Sequence, residues 1–341
     1  MVAMIEETWK SLEKESESET KTCILKRRLE PFSSCDISLG YEKPANRRML
    51  LLRVFRSNTP DSDYLPRSKG FEIRTVSLPE DDEEHATLEL ILTDSRFTDI
   101  FTSLVQDVID NITIQKNEKS VIRAFIERLV KWQQFLDRYG HDGLGDEARR
   151  GLYGELWFMR RYLIPILGIN KAVDAWKGPF RKAQDFQLSD CAVEVKTTIS
   201  KQHQKIQIVS EQQLDDTGLG GLFLQHLSLM ESSGSGETLY EIVEDIRKII
   251  TVEPVASQKM EDSLFEAGYL NAHSDSHNKM GYTIRSSSIF RIRKGFPRIT
   301  EHDLLNGVGD VHYSINVSEC VHYVITESEF KTFLMEKKDG Y

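Results

Sequence analysis

The stretch from Gln184 to Thr198, QDFQLSDCAVEVKTT, constrains this chain more than any other part of it. It reads as two short strands around a tight turn, with Asp185 on the first strand and Glu194 and Lys196 on the second. Successive strand side chains point to opposite faces, so Glu194 and Lys196 share one face, one pleat apart, while Val193 and Val195 enter the core on the other. The turn at Ser189 and Asp190 sets the Asp185 carboxylate beside Glu194. Isolated charges are costly to bury, and Asp, Glu and Lys are rarely fully buried unless paired or bound to a metal. Either the three face water or they form a site. On its own, a Glu-x-Lys on a strand is an ordinary solvated pair. Paired carboxylates on adjacent strands, however, suit a hard divalent cation such as Mg²⁺ (or Mn²⁺), which prefers oxygen ligands and keeps several waters. A lysine in reach of the same spot can orient or help deprotonate an attacking water and offset charge on a phosphorane.

At 341 residues the chain is long enough for two domains. Its first part reads as mostly β, with strands over 47–55, 70–78 and 86–94 separated by turn-rich segments. A helix follows over 94–112, with Phe97, Ile100, Phe101, Leu104, Val105 and Val108 at helical spacing. A second amphipathic helix starts at Glu118 and ends at Gly140. The third runs from Asp146 to about Ile164, stopped by Pro165. In that helix Leu152, Leu156, Met159 and Leu163 mark the buried stripe, Gly151 and Gly154 allow a close backbone approach, and Glu155 sits beside the stripe. Downstream, VDAW reads as strand-like, and KIQIVS, GLFLQHLSLM, YTIRSSSIFRI and VHYSINV read as strands. Helices are expected over TLYEIVEDIRKII, near Ser263 and over ESEFKTFLMEKK. Ser210–Gln213 has the Ser-x-x-Gln form of a capping box, starting a short helix at Glu211. The boundary falls between 117 and 118: a mostly-β N-terminal domain with helices, for recognition or partner binding, and a second domain over 118–341.

Composition removes several classes of function. Apolar residues make up 39% and charged residues 29%, ordinary for a soluble globular chain. No apolar run approaches the roughly 20 residues of a membrane span, and the acidic N-terminal stretch lacks the layout of a secretory signal, so a cytoplasmic protein without a membrane partner is expected. Cys23, Cys35, Cys191 and Cys320 show no CxxC pair or zinc spacing and read as thiols. His226, His312 and His322 lack partners at zinc spacing. GLGGL near Gly218 is neither a P-loop nor a dinucleotide fingerprint, and there is no GxSxG. The formal net charge of −10 speaks against a chain that coats DNA with its whole surface. Local basic segments remain: KGPFRK, KTTISKQHQK and RIRKGFPR.

A helix bearing Glu155, a strand with Asp185 and a strand with Glu194-x-Lys196 occur in chain order. This order resembles the PD-(D/E)XK nuclease superfamily, whose core is a helix followed by a mixed sheet. More narrowly, GLYGELWFMRRYL, AWKGP, QDFQL and VEVKTT resemble a bacterial family of uncharacterised PD-(D/E)XK-motif proteins often encoded in defence or restriction gene neighbourhoods. The resemblance is strong over 144–214, extends through FRIRKGFPRIT and VHYSINV, and is vague before Glu118. It implies an α+β (or α/β) fold with a restriction-endonuclease-like core. It also implies Asp185 and Glu194 as metal ligands, Lys196 as catalytic lysine, and Glu155 as an acidic residue that helps bind the metal or orient the site. Gln184 stands where the motif's name has proline, a residue often absent there in the superfamily.

The function expected is Mg²⁺- or Mn²⁺-dependent phosphodiester hydrolysis of DNA by a restriction-like endonuclease or nuclease subunit. The alternative is a non-catalytic DNA-binding or assembly subunit that retains the fold, working with other defence-system subunits. RNA in place of DNA is compatible with the same residues. Lys201, His203 and Lys205 flank the site as expected phosphate contacts, and Arg291, Arg293, Lys294 and Arg298 form the densest basic stretch, with Arg291 and Arg293 placed on one strand face as a phosphate track. Cutting both strands of a duplex needs two sites or two passes, which makes a homodimer an expectation.

Overall fold

The computed structural model describes residues 2–19, 21–29, 36–273 and 279–338. The chain forms two compact units that divide between Gly143 and Leu144. Among the described residues no helix is long and apolar enough to cross a membrane. Cys23, Cys191 and Cys320 carry thiols rather than disulfides, and Cys35 lies outside the described residues.

The first unit contains α1 (Val2–Ser16), β1 (Cys23–Arg28), β2 (Asp36–Lys43), β3 (Arg47–Phe55), β4 (Phe71–Val76), β5 (His85–Leu92), α2 (Thr98–Thr113) and α3 (Glu118–Tyr139). The strands form one antiparallel sheet in the order β1-β2-β3-β5-β4. β3, β4, β5, α2 and α3 follow the sequence pattern; α1, β1 and β2 were not read from it. The apolar residues of α1 are few and set among charges, yet Ile5, Trp9 and Leu12 fall on one helical face and are all buried. The Trp9 indole N–H donates to the Gly40 carbonyl at 3.1 Å. A Cβ at Gly40 would lie 2.6 Å from the Met49 side chain, so glycine there leaves room for the packing of β3. Arg48 of β3 is buried and donates to Glu6 and Glu13 of α1 at 2.7 and 2.8 Å, with its guanidinium 5.2 Å from the centre of the Trp9 ring.

Sequence alone places the domain boundary ahead of α3, but the structure groups α3 with α2. Asp107 of α2 accepts from the Trp132 indole at 2.7 Å and from the Arg128 guanidinium. The long apolar face of α3 is buried inside this unit, which is why the division comes after it.

In the second unit, α4 (Asp146–Phe158) passes through a π-helical turn at Met159–Leu163 into α5 (Ile164–Leu167). Pro165 does not stop the rod as expected. It sits directly after the π-helical turn, where the Ile164 N–H reaches back to the Met159 carbonyl and the regular α ladder is already interrupted, and the rod ends instead at Gly168, with φ of 84°. α6 (Ile169–Ala175) occupies the stretch expected as a strand at VDAW; only Trp176 makes a single bridge, to Phe186. Two adjacent apolar residues fit either period, and here packing decides for helix, with Ala172, Val173 and Ala175 buried. Then come β6 (Phe186–Gln187), β7 (Cys191–Thr198), β8 (Lys205–Ile208), β9 (Gly221–Ser233), β10 (Glu237–Thr238), α7 (Leu239–Ile250), α8 (Pro254–Glu266), β11 (Met280–Ile292), β12 (Tyr313–Asn316), β13 (Val324–Ile325) and α9 (Glu327–Lys338).

The main sheet has the order β10-β11-β9-β7-β6, with β13 on β11 and β8–β12 as a separate pair. β7 and β9 are parallel and the other pairs antiparallel. The result is an α+β fold with a mixed sheet of the restriction-endonuclease-like kind. One face lies under helices: α4 rides directly on β7, and a Cβ at Gly154 would come within 2.6 Å of Thr197. The other face carries a core of Ala192, Ile206, Ile208, Leu222, Leu224 and Phe290 under the β8–β12 pair.

The Arg48 contacts tie α1 to the first sheet through charge-assisted hydrogen bonds, which are stronger than neutral ones. Arg48→Met is expected to lower the stability of the protein by about 1–3 kcal/mol in urea unfolding.

Candidate active site

The site begins where a strand stops. β6 is two residues long and pairs with β7 no further than Phe186 opposite Val193. The next N–H available on that edge of β7, at Val195, is taken by the Asp185 side chain, whose Oδ2 accepts at 2.7 Å. The backbone of Asp185 is held in turn, its carbonyl accepting from the N–H groups of Lys177 and Gly178 at 2.7 and 3.0 Å. Glu155 reaches the same place from α4, its Oε2 accepting from the Trp176 indole at 2.7 Å. Gly178 leaves the space they share: a Cβ there would lie 2.5 Å from Glu155 Oε2 and 3.1 Å from Asp185 Oδ1. Glu194 is buried on the β8 side of the sheet, with Lys196 Nζ 2.9 Å from its Oε1. Helix, edge and strand thus bring Glu155, Asp185, Glu194 and Lys196 together.

The electrostatics follow from this crowding. Burial, and then the charge of Asp185, push Glu194 up to about 8. Burial and the Asp185 charge also hold Glu155 well above the ordinary carboxylate value, and burial raises Asp185 against the opposing pull of Lys196. Burial alone would lower Lys196, but Glu194, Asp185 and Glu155 overcome it and hold the ammonium above the usual lysine value. The two partners of the Glu194–Lys196 pair therefore both move upward. One ammonium among one buried and two half-buried carboxylates keeps its proton easily, whereas the carboxylates remain short of positive charge.

That deficit is the test of a cation. The donors are hard carboxylate oxygens, Glu194 Oε2 is buried without a hydrogen-bond partner, and Gly178 keeps the space beside Glu155 and Asp185 open. These features fit Mg²⁺ or Mn²⁺. Among the described residues, however, no three His, Cys, Asp or Glu side chains are arranged to hold a metal by themselves. Asp185, Glu194 and Glu155 do not form a closed cage, and an ion here would keep waters, as Mg²⁺ does.

Three contributors were given no role at the site by the sequence reading: Trp176 and Gly178, which lie within AWKGP, and Gln213. Gln213 donates through Nε2 to Glu194 Oε1 at 2.7 Å, and its Oε1 accepts from Lys196 Nζ at 3.3 Å and from the Val209 N–H at 2.9 Å. The capping-box signal marked this residue, but for a different role. Ser210 does cap the single 3₁₀ turn Glu211–Leu214, accepting from the Gln212 N–H, while Gln213 turns toward the charged pair.

The basic residues divide. Lys201, His203 and Lys205 line a cleft beside β11 and β12. Arg291 and Arg293 are exposed but do not share a strand face: the Arg291 guanidinium lies 5.5 Å from the centre of the Phe333 ring of α9, and Arg293 donates to the His322 carbonyl beyond the end of β11. The strand ends between them, so alternation does not extend to Arg293. Arg298 is engaged internally, donating to the Leu214 carbonyl and pairing with Asp216 at 2.8 Å. Lys294 is exposed. Among the histidines, buried His226 bonds Thr198 at 2.9 Å, and burial lowers it to about 4.

A helix-borne glutamate, an aspartate at a sheet edge and a strand-borne Glu-x-Lys on a mixed sheet are the marks of the PD-(D/E)XK class. The family model described as "Putative PD-(D/E)XK family member, (DUF4420)" matches residues 5–318, and the chain belongs to that family. The match includes the first unit, where the sequence resemblance is vague. No curated protein and no solved structure matches the chain.

Between about pH 4.5 and pH 8 the unfolded chain has lost the proton that native Glu194 retains, so the unfolded state binds fewer protons and stability falls as pH rises. Thermal midpoints in EDTA are expected to drop across this window, and Glu194→Gln is expected to flatten the slope.

Proposed function

We propose that the protein hydrolyses phosphodiester bonds of DNA with Mg²⁺ or Mn²⁺, as a restriction-like endonuclease or nuclease subunit acting in the cytoplasm against foreign DNA. The observation that carries this reading is the gathering of Glu155, Asp185 and Glu194 around Lys196 at the uncovered edge of β7, with Glu194 Oε2 lacking a partner. A bound divalent cation would polarise the scissile phosphate and make water nucleophilic near neutral pH. Asp185 and Glu194 are the residues that would hold it, with Glu155 in support. Lys196 keeps its proton, which suits it to offset charge on the phosphorane rather than to act as the base. Gln213 holds the Glu194–Lys196 pair in register and limits its rearrangement when substrate arrives. A homodimer, and association with other subunits, fit the same proposal.

That no three such side chains form a closed metal group among the described residues favours a second reading, a DNA-binding or assembly subunit that keeps the fold without cutting. Nicking of supercoiled plasmid separates the two. With Mg²⁺ or Mn²⁺ the wild type is expected to nick, and Lys196→Ala to lose at least about a hundredfold in rate. Wild-type binding without nicking, across metals and with partner proteins present, would favour the scaffold. Gly178→Ala intrudes on both Glu155 and Asp185, and is expected to cost about a hundredfold in nicking rate with little change in DNA affinity.

A further inference from the structure

The face of the sheet that carries Lys196 also opens into a cleft of about 670 Å³ between the 199–205 connection, β11, β12 and the 317–323 turn. Its chemistry is selective. Lys201, His203 and Lys205 line it and, among the described residues, no Asp or Glu does, in a chain with 54 acidic against 44 basic residues. Opposite charge is therefore favoured there. Val321 and Val324 contribute to the wall although 59% and 48% exposed, an apolar surface that a flat body would cover. Asn316 and Ser288 add hydrogen-bonding groups. An anion joined to a flat, hydrogen-bonding ring describes a nucleotide.

Position says which kind. Lys196, His226 and Ser288 are successive cross-strand partners on β7, β9 and β11. Direct partners share a face, and neighbouring strands lie about 4.8 Å apart, so Ser288 stands roughly 10 Å from the lysine. We propose that this cleft holds one unpaired nucleotide of the strand under attack, its phosphate on the Lys201–His203–Lys205 lip and its base against the valine wall. A base in this cleft cannot be paired in a duplex, so the substrate is single-stranded or locally opened DNA. The placement on the attacked strand rests on the nuclease reading; nucleotide binding by the cleft does not.

The test uses the full-length Lys196→Ala protein in EDTA, where nothing is cut, and fluorescence anisotropy of labelled oligonucleotides. Single-stranded DNA is expected to bind more tightly than blunt duplex, and removing its bases to weaken binding at least about fivefold. Val321→Asp, at an exposed position, is expected to weaken binding by a similar factor with an unchanged melting temperature. Lys205→Ala is expected to reduce the salt slope of log K by about one. Equal affinity for intact and abasic strands, or no effect of Val321→Asp, overturns the proposal. Competition by deoxynucleoside monophosphates with no preference for oligonucleotides overturns the placement on a strand and assigns the cleft to a free nucleotide. Preference for single-stranded RNA over DNA overturns the choice of DNA. If wild-type protein fails to nick DNA while base-dependent binding persists, the nuclease reading falls and the cleft assignment stands.

Discussion

The hydrogen bond from the Val195 N–H to the Asp185 carboxylate organises the second unit. A sheet edge presents backbone donors that must find partners. Here the edge strand is cut short at Phe186, and a side chain takes over where its backbone would have continued. That substitution brings a carboxylate to the edge beside Glu194, and it leaves room for a third element to arrive. Glu155 comes from α4 because Gly154 lets that helix lie almost on β7, and Trp176 holds its carboxylate in place.

The crowding that results is unfavourable by itself. Crowded carboxylates, one buried and two half-buried, repel one another and lose hydration, and the single ammonium of Lys196 does not neutralise them. A fold optimised only for stability would replace such a group with apolar residues, since buried ion pairs often stabilise less than hydrophobic packing does. Strain of this kind gathers where chemistry is done, because groups with displaced proton affinities are the ones that bind cations and stabilise transition-state charge. Gln213 moderates the conflict by satisfying one oxygen of Glu194 while sharing Lys196. It leaves the other oxygen without a partner.

Much of this was legible in the sequence. The alternation in CAVEVKTT located Glu194 and Lys196 and assigned their face correctly, because a strand has a fixed period of two. Most helices and strands with a clean period were legible for the same reason, including the start of α3 at Glu118. Failures cluster where local pattern is ambiguous. α1 hides its few apolar residues among charges, VDAW fits either period, and Pro165 reads as a stop unless the π turn before it is known. Arg291 illustrates another limit: its neighbour in space is Phe333 of α9, far along the chain.

Sequence alone determined which residue types could perform chemistry and which of them share a strand face, since both follow from covalent structure and backbone geometry. Only the tertiary structure decided that Glu155 and Asp185 converge beside Gly178, that Gln213 belongs to the charged pair, and that Arg298 serves the fold. Those outcomes depend on how far β6 extends and how closely α4 approaches the sheet. Packing between distant segments sets both, and no local pattern encodes it.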